Sequence, residues 1–229
     1  MNVPFSCSEN YGERLAAEVG AKFIPVDVGR ALVPISGTAI RTQPLQHWKY
    51  IPDCVRPYFV KRVCIFGPES TGKSTLARDL AARFDTVYVS EFARGLLDLT
   101  GGRCDASDIP LIARGQAAAE DSLVRRANRV IFCDTDILLT TVWSETLFGD
   151  CPTSVREMAL QRNYDLYLLL DVDVPWVDDA QRFLPHHRQE FFNRCREVLD
   201  QNGRRYVVIR GSWAERLETS IAAVRTMME

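Results

Sequence analysis

The spacing of hydrophobic and polar positions changes repeatedly along this chain from residue 60 onward. Short apolar runs of strand type alternate with segments in which apolar residues recur every three or four positions, as in amphipathic helices. The runs that predict strands are "RVCIF", "TVYVS", "RVIFCD", "YDLYLLLDV" and "RYVVIRG". Strands and helices that alternate in this way imply a five-stranded parallel sheet with helices on both faces, an α/β fold.

The helical segments carry their own start and stop signals. In the first, Leu76, Leu80 and Phe84 lie at four-residue spacing. Two later helices are predicted to end at Gly149 and Gly203, and the last begins after a serine of capping type. The predicted helices are "KSTLARDLAARF", "SDIPLIARGQAAAEDSLVRRA", "ILLTTVWSETLFG", "RQEFFNRCREVLDQNG" and "SWAERLETSIAAVRTMM". Parallel sheets bind ligands at the carboxyl ends of their strands, so polar residues at those ends are site candidates.

Residues 1–60 have a different pattern. They contain several prolines and a single convincing strand, "KFIPVDV", followed by an extended connector, "QPLQHWKYIPDCVRPYF". A segment of this size could hardly support a core of its own. We therefore predict two parts, a remnant of a domain with its linker at 1–60 and a P-loop domain at 61–229.

Composition narrows the classes of function. The chain has 229 residues, a formal net charge of −2 and seven scattered cysteines without a CxxC pair. This charge gives no bulk attraction to nucleic acid or membranes, and the longest apolar runs are too short to span a bilayer. The first residues lack a secretory pattern, and the cysteines fit reduced thiols. We expect a cytoplasmic protein that binds a small molecule and neither nucleic acid nor membrane; oligomeric state stays open, with a homo-oligomer possible.

The segment "GPESTGKST" follows the first predicted strand and precedes a helix, which is the context of a phosphate-binding loop. Its glycines let backbone N–H groups point at phosphate oxygens, and the positive end of the helix adds to that attraction. Lys73 is expected to reach the β and γ phosphates, and Ser74 to offer its hydroxyl to Mg²⁺. The predicted ATP-binding residues are Gly67, Pro68, Glu69, Ser70, Thr71, Gly72, Lys73, Ser74 and Thr75.

Acidic residues end the next two predicted strands. "SEFAR" supplies Glu91 and Arg94, and "CDTDILLTT" supplies Asp134 and Asp136. One of the aspartates is expected to hold Mg²⁺, with Asp134 as the predicted ligand beside Ser74. Glu91 is expected to accept the proton of an attacking hydroxyl or to bind a sugar, and Asp136 to be a catalytic and substrate-binding residue of the same cluster. Which acid is the base stays open.

A charged stretch after the fourth strand, "DVDVPWVDDAQRFLPHHRQEFF", is typical of a lid. Arg182 and Arg188 are expected to neutralise phosphate charge, with Asp178 near the acceptor. Trp176 is the better candidate for stacking on a flat ring, whereas Trp143, in a helix, fits the core better. The adjacent histidines of this stretch receive no role.

With these residues in view, the chain resembles the NadR family, whose members join a nicotinamide-nucleotide adenylyltransferase domain to a ribosylnicotinamide kinase domain. The resemblance rests on "GPESTGKST", "SEFAR", "FCDTDILLTT", "PWVDDAQR" and the linker "ISGTAIRTQPLQHWKYIPDCVRPYFVKRV". It implies a kinase with a nucleoside- and nucleotide-kinase-like fold and lid. Such a kinase would phosphorylate the 5′-hydroxyl of nicotinamide riboside with ATP and Mg²⁺.

By motif position, the resemblance gives Lys73 and Ser74 the phosphate and metal roles. It assigns the acceptor and metal cluster to Glu91, Arg94, Asp134 and Asp136, and the lid cations to Arg182 and Arg188. "SGTAIR" is similar to the phosphate-contacting signature of the adenylyltransferase domain, but an HxGH motif is missing: the histidines are His47, His186 and His187. We therefore expect no adenylyltransferase activity from this chain.

Two alternatives remain at this point. One is a P-loop protein that binds ATP and a pyridine nucleotide to signal, without useful turnover. The other is a kinase of a different nucleoside or of a nucleoside monophosphate, because ring selectivity depends on pocket shape.

Overall fold

The computed structural model of the protein describes residues 4–9, 11–179 and 182–229. The chain forms two compact units, Met1–Pro52 and Asp53–Glu229. The division falls a little before the boundary at residue 60 that the sequence predicts. No helix among the described residues is long and apolar enough to cross a membrane.

The smaller unit contains a β-α-β arrangement. Strands β1 (Pro4–Cys7) and β2 (Lys22–Pro25) pair in parallel and are connected by helix α1 (Gly12–Glu18). Helix α2 (Gly37–Thr42) begins at Ser36, whose side chain accepts a hydrogen bond from the Ala39 backbone. Only β2 was predicted from the sequence, because the other elements are too short to show a clear period.

The larger unit is built on five parallel strands in the order β4-β5-β3-β6-β7, as the alternation of patterns predicts. β3 occupies the centre of the sheet, and the charged or glycine-rich segments follow the strands at one edge. The strands are β3 (Lys61–Phe66), β4 (Tyr88–Val89), β5 (Val130–Asp134), β6 (Leu166–Leu170) and β7 (Tyr206–Ile209).

Seven α-helices connect or follow these strands in the described part of the larger unit. Five of them match the predicted helices, and Gly149 ends α6 with a φ of 78° as expected. Helices α4 and α7 were not predicted from the sequence. The helices are α3 (Lys73–Arg83), α4 (Phe92–Thr100), α5 (Ile109–Leu123), α6 (Ile137–Phe148), α7 (Thr153–Gln161), α8 (Arg188–Gln201) and α9 (Trp213–Met228).

Both faces of the sheet are buried. Alternate residues of a strand point to opposite sides of the sheet, and in β5 and β6 every residue is buried. On one face, α3 and α9 cover a cluster that includes Ile65, Phe132 and Leu168. On the other face, Tyr164 and Tyr167 donate hydrogen bonds to side chains of α5 and of the α6 N-terminus. Burial on both faces accounts for the nearly continuous apolar runs of these strands.

Strand register brings the site segments together. Ile65 of β3 pairs with Asp134 of β5, so the P-loop begins next to the acidic end of β5. Val89 of β4 pairs with Cys133, which places Glu91 close to the same point.

Candidate active site

The loop after β3 has a backbone that requires glycine at two positions. Gly67 and Gly72 have φ values of 132° and 86°, in the region that favours glycine. A Cβ at Gly67 would lie 2.9 Å from the Leu170 carbonyl oxygen, and one at Gly72 would lie 2.4 Å from the Trp213 ring. The loop is therefore packed too closely for side chains at these positions.

Lys73 starts α3 and curls back over the loop. Its Nζ donates a hydrogen bond to the Pro68 carbonyl at 2.8 Å, and the Thr71 hydroxyl donates to the same oxygen at 2.8 Å. The ammonium group and the positive end of α3 thus lie on the same side of the loop, which is the arrangement that binds a polyphosphate.

Arg216 of α9 holds the P-loop by a hydrogen bond to its backbone and was not predicted from the sequence. It is buried, and its guanidinium donates hydrogen bonds to the carbonyl oxygens of Thr71, Asp171 and Gly211. It also forms an ion pair with Asp173. An arginine on the buried stripe of α9, one turn before Ser220, was the available signal.

Asp134 lies at the end of β5 with its carboxylate buried. Its Oδ1 has no hydrogen-bond partner among the described residues. Burial raises the pKa of this carboxyl group, while Lys73 and a hydrogen bond from Ser74 oppose the rise. A buried, unpartnered carboxylate oxygen beside a lysine and a serine hydroxyl is an incomplete site that a cation would complete.

Glu91 is the N-cap residue of α4 and faces the same cavity. Burial raises its pKa to about 6, and the charge of Asp134 adds to the rise, while Lys73 and Arg94 oppose it. A carboxylate with this pKa is ionised near neutral pH and is still a competent proton acceptor.

Asp136 lies in a different environment from the predicted one. One carboxylate oxygen caps α6 by accepting the Leu139 N–H at 2.9 Å, and the other accepts the Tyr167 hydroxyl at 2.9 Å. Burial raises the pKa of Asp136 to about 7. With both oxygens engaged inside the fold, this placement does not support the predicted catalytic and substrate-binding role of Asp136; it indicates a structural one.

The predicted lid packs directly on the P-loop. Glu69 Oε1 accepts the backbone N–H groups of Phe183 and Leu184, at 2.8 and 2.6 Å. The Ser70 hydroxyl accepts the Val177 N–H at 2.8 Å. Ala180 and Gln181, part of the predicted lid motif, lie outside the described residues.

The two lid arginines differ in their position relative to the cavity. Arg182 faces the cavity and donates to the Ser70 hydroxyl at 3.1 Å. Arg188 donates to the carbonyl oxygens of Ser70 and Val174, each at 3.0 Å, and does not line the cavity. Burial lowers the pKa of Arg188, and the charges of Arg216 and Arg182 add to that effect.

Arg94 connects the lid to the acidic cluster. It pairs with Asp179 at 2.9 Å, whereas the neighbouring Asp178 is exposed and accepts its hydrogen bond from the Asp179 backbone. The predicted substrate contact of Asp178 is therefore not supported by its position. The lid carboxylate that contacts Arg94, a residue that lines the cavity, is that of Asp179.

A cavity of about 350 Å³ lies between the P-loop, α4, α5 and α6. Trp143 lines it and packs against Phe191 with ring centroids 4.2 Å apart. Trp176 is not among its lining residues; its ring lies 5.8 Å from the guanidinium carbons of both lid arginines. The cavity is therefore lined by Trp143, whereas the sequence pattern favours Trp176 for this place. The sequence pattern favours the core for Trp143 because a tryptophan within a helix is more often a core residue.

Gln116 of α5 also lines the cavity and was not predicted. It is buried; its Oε1 accepts the Phe92 N–H at 3.0 Å, and its Nε2 donates to the Thr135 carbonyl at 3.4 Å. Thr135 is the residue between the two aspartates of the β5 end and has a φ of 68°. A polar residue on the apolar stripe of a predicted helix was the signal that could have identified Gln116.

The residues present fit Mg²⁺ bound together with a nucleotide. No group of three or more histidine, cysteine, aspartate or glutamate side chains in the described chain is arranged to hold a metal ion alone. Mg²⁺ in phosphotransfer sites needs only one or two protein oxygens besides phosphate and water. Ser74 and Asp134 can supply these, and the unpartnered Asp134 oxygen supports the assignment.

A glycine loop of this form, placed between the central strand of a parallel sheet and a helix, defines a P-loop protein of the nucleoside- and nucleotide-kinase-like fold. A family model described as an AAA domain matches residues 62–216. The chain is 36% identical over 217 residues to the trifunctional NAD biosynthesis/regulator protein NadR of Escherichia coli (strain K12), covering 92% of this chain and 53% of that protein. The NadR of Salmonella typhimurium is 35% identical over the same shares.

Solved structures agree with this likeness. A crystal structure of NadR protein in complex with NR matches with a TM-score of 0.82 at 25% identity, over 100% of this chain and 69% of that chain. A thymidylate kinase from Candida albicans matches in fold alone, with a TM-score of 0.54 at 17% identity over 74% of this chain and 94% of that chain. The chain belongs to the AAA-domain family and is homologous to NadR, and it spans about half the length of the curated relatives it matches.

Proposed function

We propose that this chain is a kinase that transfers the γ-phosphoryl group of ATP to the 5′-hydroxyl of nicotinamide riboside. The observation that carries the proposal is one cavity lined by both Lys73 of the P-loop and Glu91, which follows β4. The buried Asp134 carboxylate is close enough to interact electrostatically with both. A protein that only binds nucleotide needs the P-loop but no proton acceptor. A kinase also needs a group that can accept the proton of the acceptor hydroxyl, and an acid of raised pKa that lines the same cavity can do this. The proposal concerns phosphoryl transfer alone.

The far end of the cavity suits a flat ring. It is apolar, and Trp143 in its lining is a suitable partner for an aromatic cation such as the pyridinium of nicotinamide riboside. The volume of about 350 Å³ is at the lower end for small-molecule sites, which fits a nucleoside. The matching structure of NadR in complex with NR supports the same acceptor. The apolar lining residues are Leu97, Ile109, Ile112, Leu139, Trp143 and Leu147.

The chain's own residues divide the work of the transfer. Lys73 and the loop N–H groups bind the phosphates and stabilise charge as the γ-phosphoryl group leaves. Glu91 orients the acceptor hydroxyl and takes its proton. Arg182, held over the loop by Ser70, neutralises phosphate charge from the lid side. Ser74 and Asp134 would hold Mg²⁺, which would supply positive charge that offsets the charge of the phosphates.

The direct test is an acceptor screen at fixed ATP and Mg²⁺. Nicotinamide riboside, uridine, cytidine and thymidine would each be supplied, and phosphorylated product would be measured by chromatography. We expect nicotinamide mononucleotide to be formed at least ~10-fold faster than any other product, since a ring pocket discriminates by a few kcal/mol. Faster phosphorylation of another nucleoside would replace the proposed acceptor. ATP hydrolysis without any phosphorylated nucleoside would favour a nucleotide-binding regulator.

A further inference from the structure

We propose that Gln116 is a positioning residue that holds Glu91 in place against the Asp134 end of β5. The inference rests on the proposed function, in which Glu91 acts on the acceptor. Gln116 itself need not contact the reacting atoms. It acts through the backbone on either side of the cavity.

The first step is the pair of contacts made by one side-chain amide. The Oε1 of Gln116 accepts the N–H of Phe92, the residue that follows Glu91, at 3.0 Å. The Nε2 donates to the carbonyl of Thr135, the residue that follows Asp134, at 3.4 Å. A single buried amide therefore connects the Glu91–Phe92 peptide to the residue that follows Asp134. Since these acids lie on different strand ends, their separation depends on this bridge as well as on strand pairing.

The orientation of the amide is fixed by its surroundings. Nε2 also faces the Glu120 carboxylate at 3.5 Å. Glu120 in turn accepts the Tyr164 hydroxyl at 2.7 Å and pairs with Arg62 at 3.1 Å. With an acceptor on one side and the Phe92 N–H donor on the other, only one arrangement of the amide satisfies every group. Gln116 is thus a fixed bridge rather than a mobile polar side chain.

The contact at Thr135 supports a strained backbone. A β-branched residue with a φ of 68° lies in a region that such residues rarely adopt. Its N–H donates to the Ile65 carbonyl at 3.0 Å, and its carbonyl accepts from Gln116. Both polar groups of this residue are therefore held. The turn that separates the buried Asp134 oxygen from the helix-capping Asp136 depends on these bonds.

A second observation places the Glu91 segment on the same helix. A Cβ at Gly115, the neighbour of Gln116, would lie 2.3 Å from the ring of Phe92. Glycine here lets the start of α4 approach the backbone of α5 directly. Gln116 thus holds the Phe92 N–H by a hydrogen bond and Gly115 allows close packing of the Phe92 ring, so two adjacent residues of α5 contact the residue that follows Glu91.

The test replaces Gln116 by methionine, which keeps the volume and removes both hydrogen bonds. We expect kcat for transfer to nicotinamide riboside to fall by about 10-fold while the KM for ATP changes less than about 2-fold, since the P-loop is untouched. Hydrogen exchange at the Phe92 amide is expected to accelerate by at least ~10-fold. Gln116→Asn keeps the polarity but is one methylene too short to bridge both partners, and we expect it to change kcat and exchange in the same direction.

The matched control is Val124→Ala, which removes buried methyl groups just after the end of α5 without touching either contact. It is expected to lower stability yet leave kcat and Phe92 exchange within ~2-fold of the parent. The inference is overturned if Phe92 exchange and kcat are unchanged in both Gln116 variants, or if Val124→Ala reproduces their loss of kcat. If the unmodified protein phosphorylates no riboside, the proposed function fails, and exchange at Phe92 still decides whether Gln116 holds this segment.

Discussion

The P-loop and the lid face the same cavity, but they are held in place by different forces. The P-loop follows the central strand of the sheet, and its Thr71 is fully buried. The part of the lid that precedes α8, residues 172–187, has no helix or strand among its described residues, and Arg188 is the first residue of α8. Val177 and Phe183 of this part are 61% and 43% exposed. One segment is part of the core, whereas the other lies on the surface of that core.

This difference predicts a division of labour. The lid contacts the P-loop through a hydrogen bond to the Ser70 hydroxyl, worth about 1 kcal/mol, and two to the Glu69 carboxylate, worth about 1.5–3 kcal/mol each, so opening it breaks a few surface bonds and no part of the sheet. The P-loop cannot move without disturbing β3 and the buried Arg216. Variants in the P-loop should therefore affect the chemical step. Variants in the lid should affect how well the site retains ATP and excludes water.

The largest effect is expected at Lys73. We predict that Lys73→Ala lowers kcat for riboside phosphorylation by at least ~100-fold, because the ammonium stabilises charge that develops on the phosphates. Circular dichroism and thermal unfolding are expected to stay close to those of the parent, since the hydrogen bond that the variant loses goes to a carbonyl of the P-loop itself and not to the sheet. The control is Lys61→Ala. Lys61 is the first residue of β3, at the end of the strand away from the P-loop, and pairs with Asp165, so kcat should stay unchanged. An active Lys73→Ala protein would remove the basis of the P-loop assignment.

The two aspartates of the β5 end should behave differently although they are two residues apart. Asp134→Asn is expected to lower kcat by about 100-fold and to raise the Mg²⁺ concentration needed for half-maximal rate. Asp136→Asn is expected to change kcat by no more than ~3-fold, because asparagine still caps α6 and can still bond Tyr167. Mg²⁺ titrations of both variants would check this. A loss at Asp136 equal to that at Asp134 would restore the catalytic role predicted from the sequence.

The pH dependence should report Glu91. Its pKa is raised to about 6, so the carboxylate takes up a proton as the pH falls through 6, and kcat/KM should fall with it. Glu91→Gln is expected to lower kcat by about 10- to 100-fold and to abolish the fall of kcat/KM at acid pH. The loss of kcat is moderate because catalysis of phosphoryl transfer depends more on positioning and charge stabilisation than on a general base. Rate profiles from pH 5 to pH 8 would show it. An unchanged acid limb in Glu91→Gln would assign the titration to another group.

The smallest effect is expected where the lid contacts the P-loop. Glu69→Ala removes the acceptor for two lid N–H groups and should lower kcat by about 5-fold. We also expect a larger share of ATP to be hydrolysed without transfer, because water enters an incompletely closed site. Glu190→Ala, which removes an exposed carboxylate paired with His187, is the control. The ratio of ADP to phosphorylated riboside measures the effect, and an unchanged ratio in Glu69→Ala would contradict the lid assignment.

Much of the larger unit could be predicted from the sequence. The five strands and five of the helices follow from apolar periods, because a parallel sheet buried on both faces needs nearly continuous apolar strands. The short α4 and the two-residue β4 show why boundaries were less certain: few residues leave little period to detect. Glu91 was nevertheless identified, because it directly follows an apolar run.

The sequence by itself determined the P-loop, because a glycine pattern followed by lysine and serine has one backbone solution, and that solution is local. Only the tertiary structure separated Asp134 from Asp136 and placed Trp143, rather than Trp176, at the cavity. It also brought Gln116 and Arg216 to the site from helices distant in the chain. The physical reason is that the direction of a side chain depends on strand register and on its partners across the fold, and neither is encoded in local spacing.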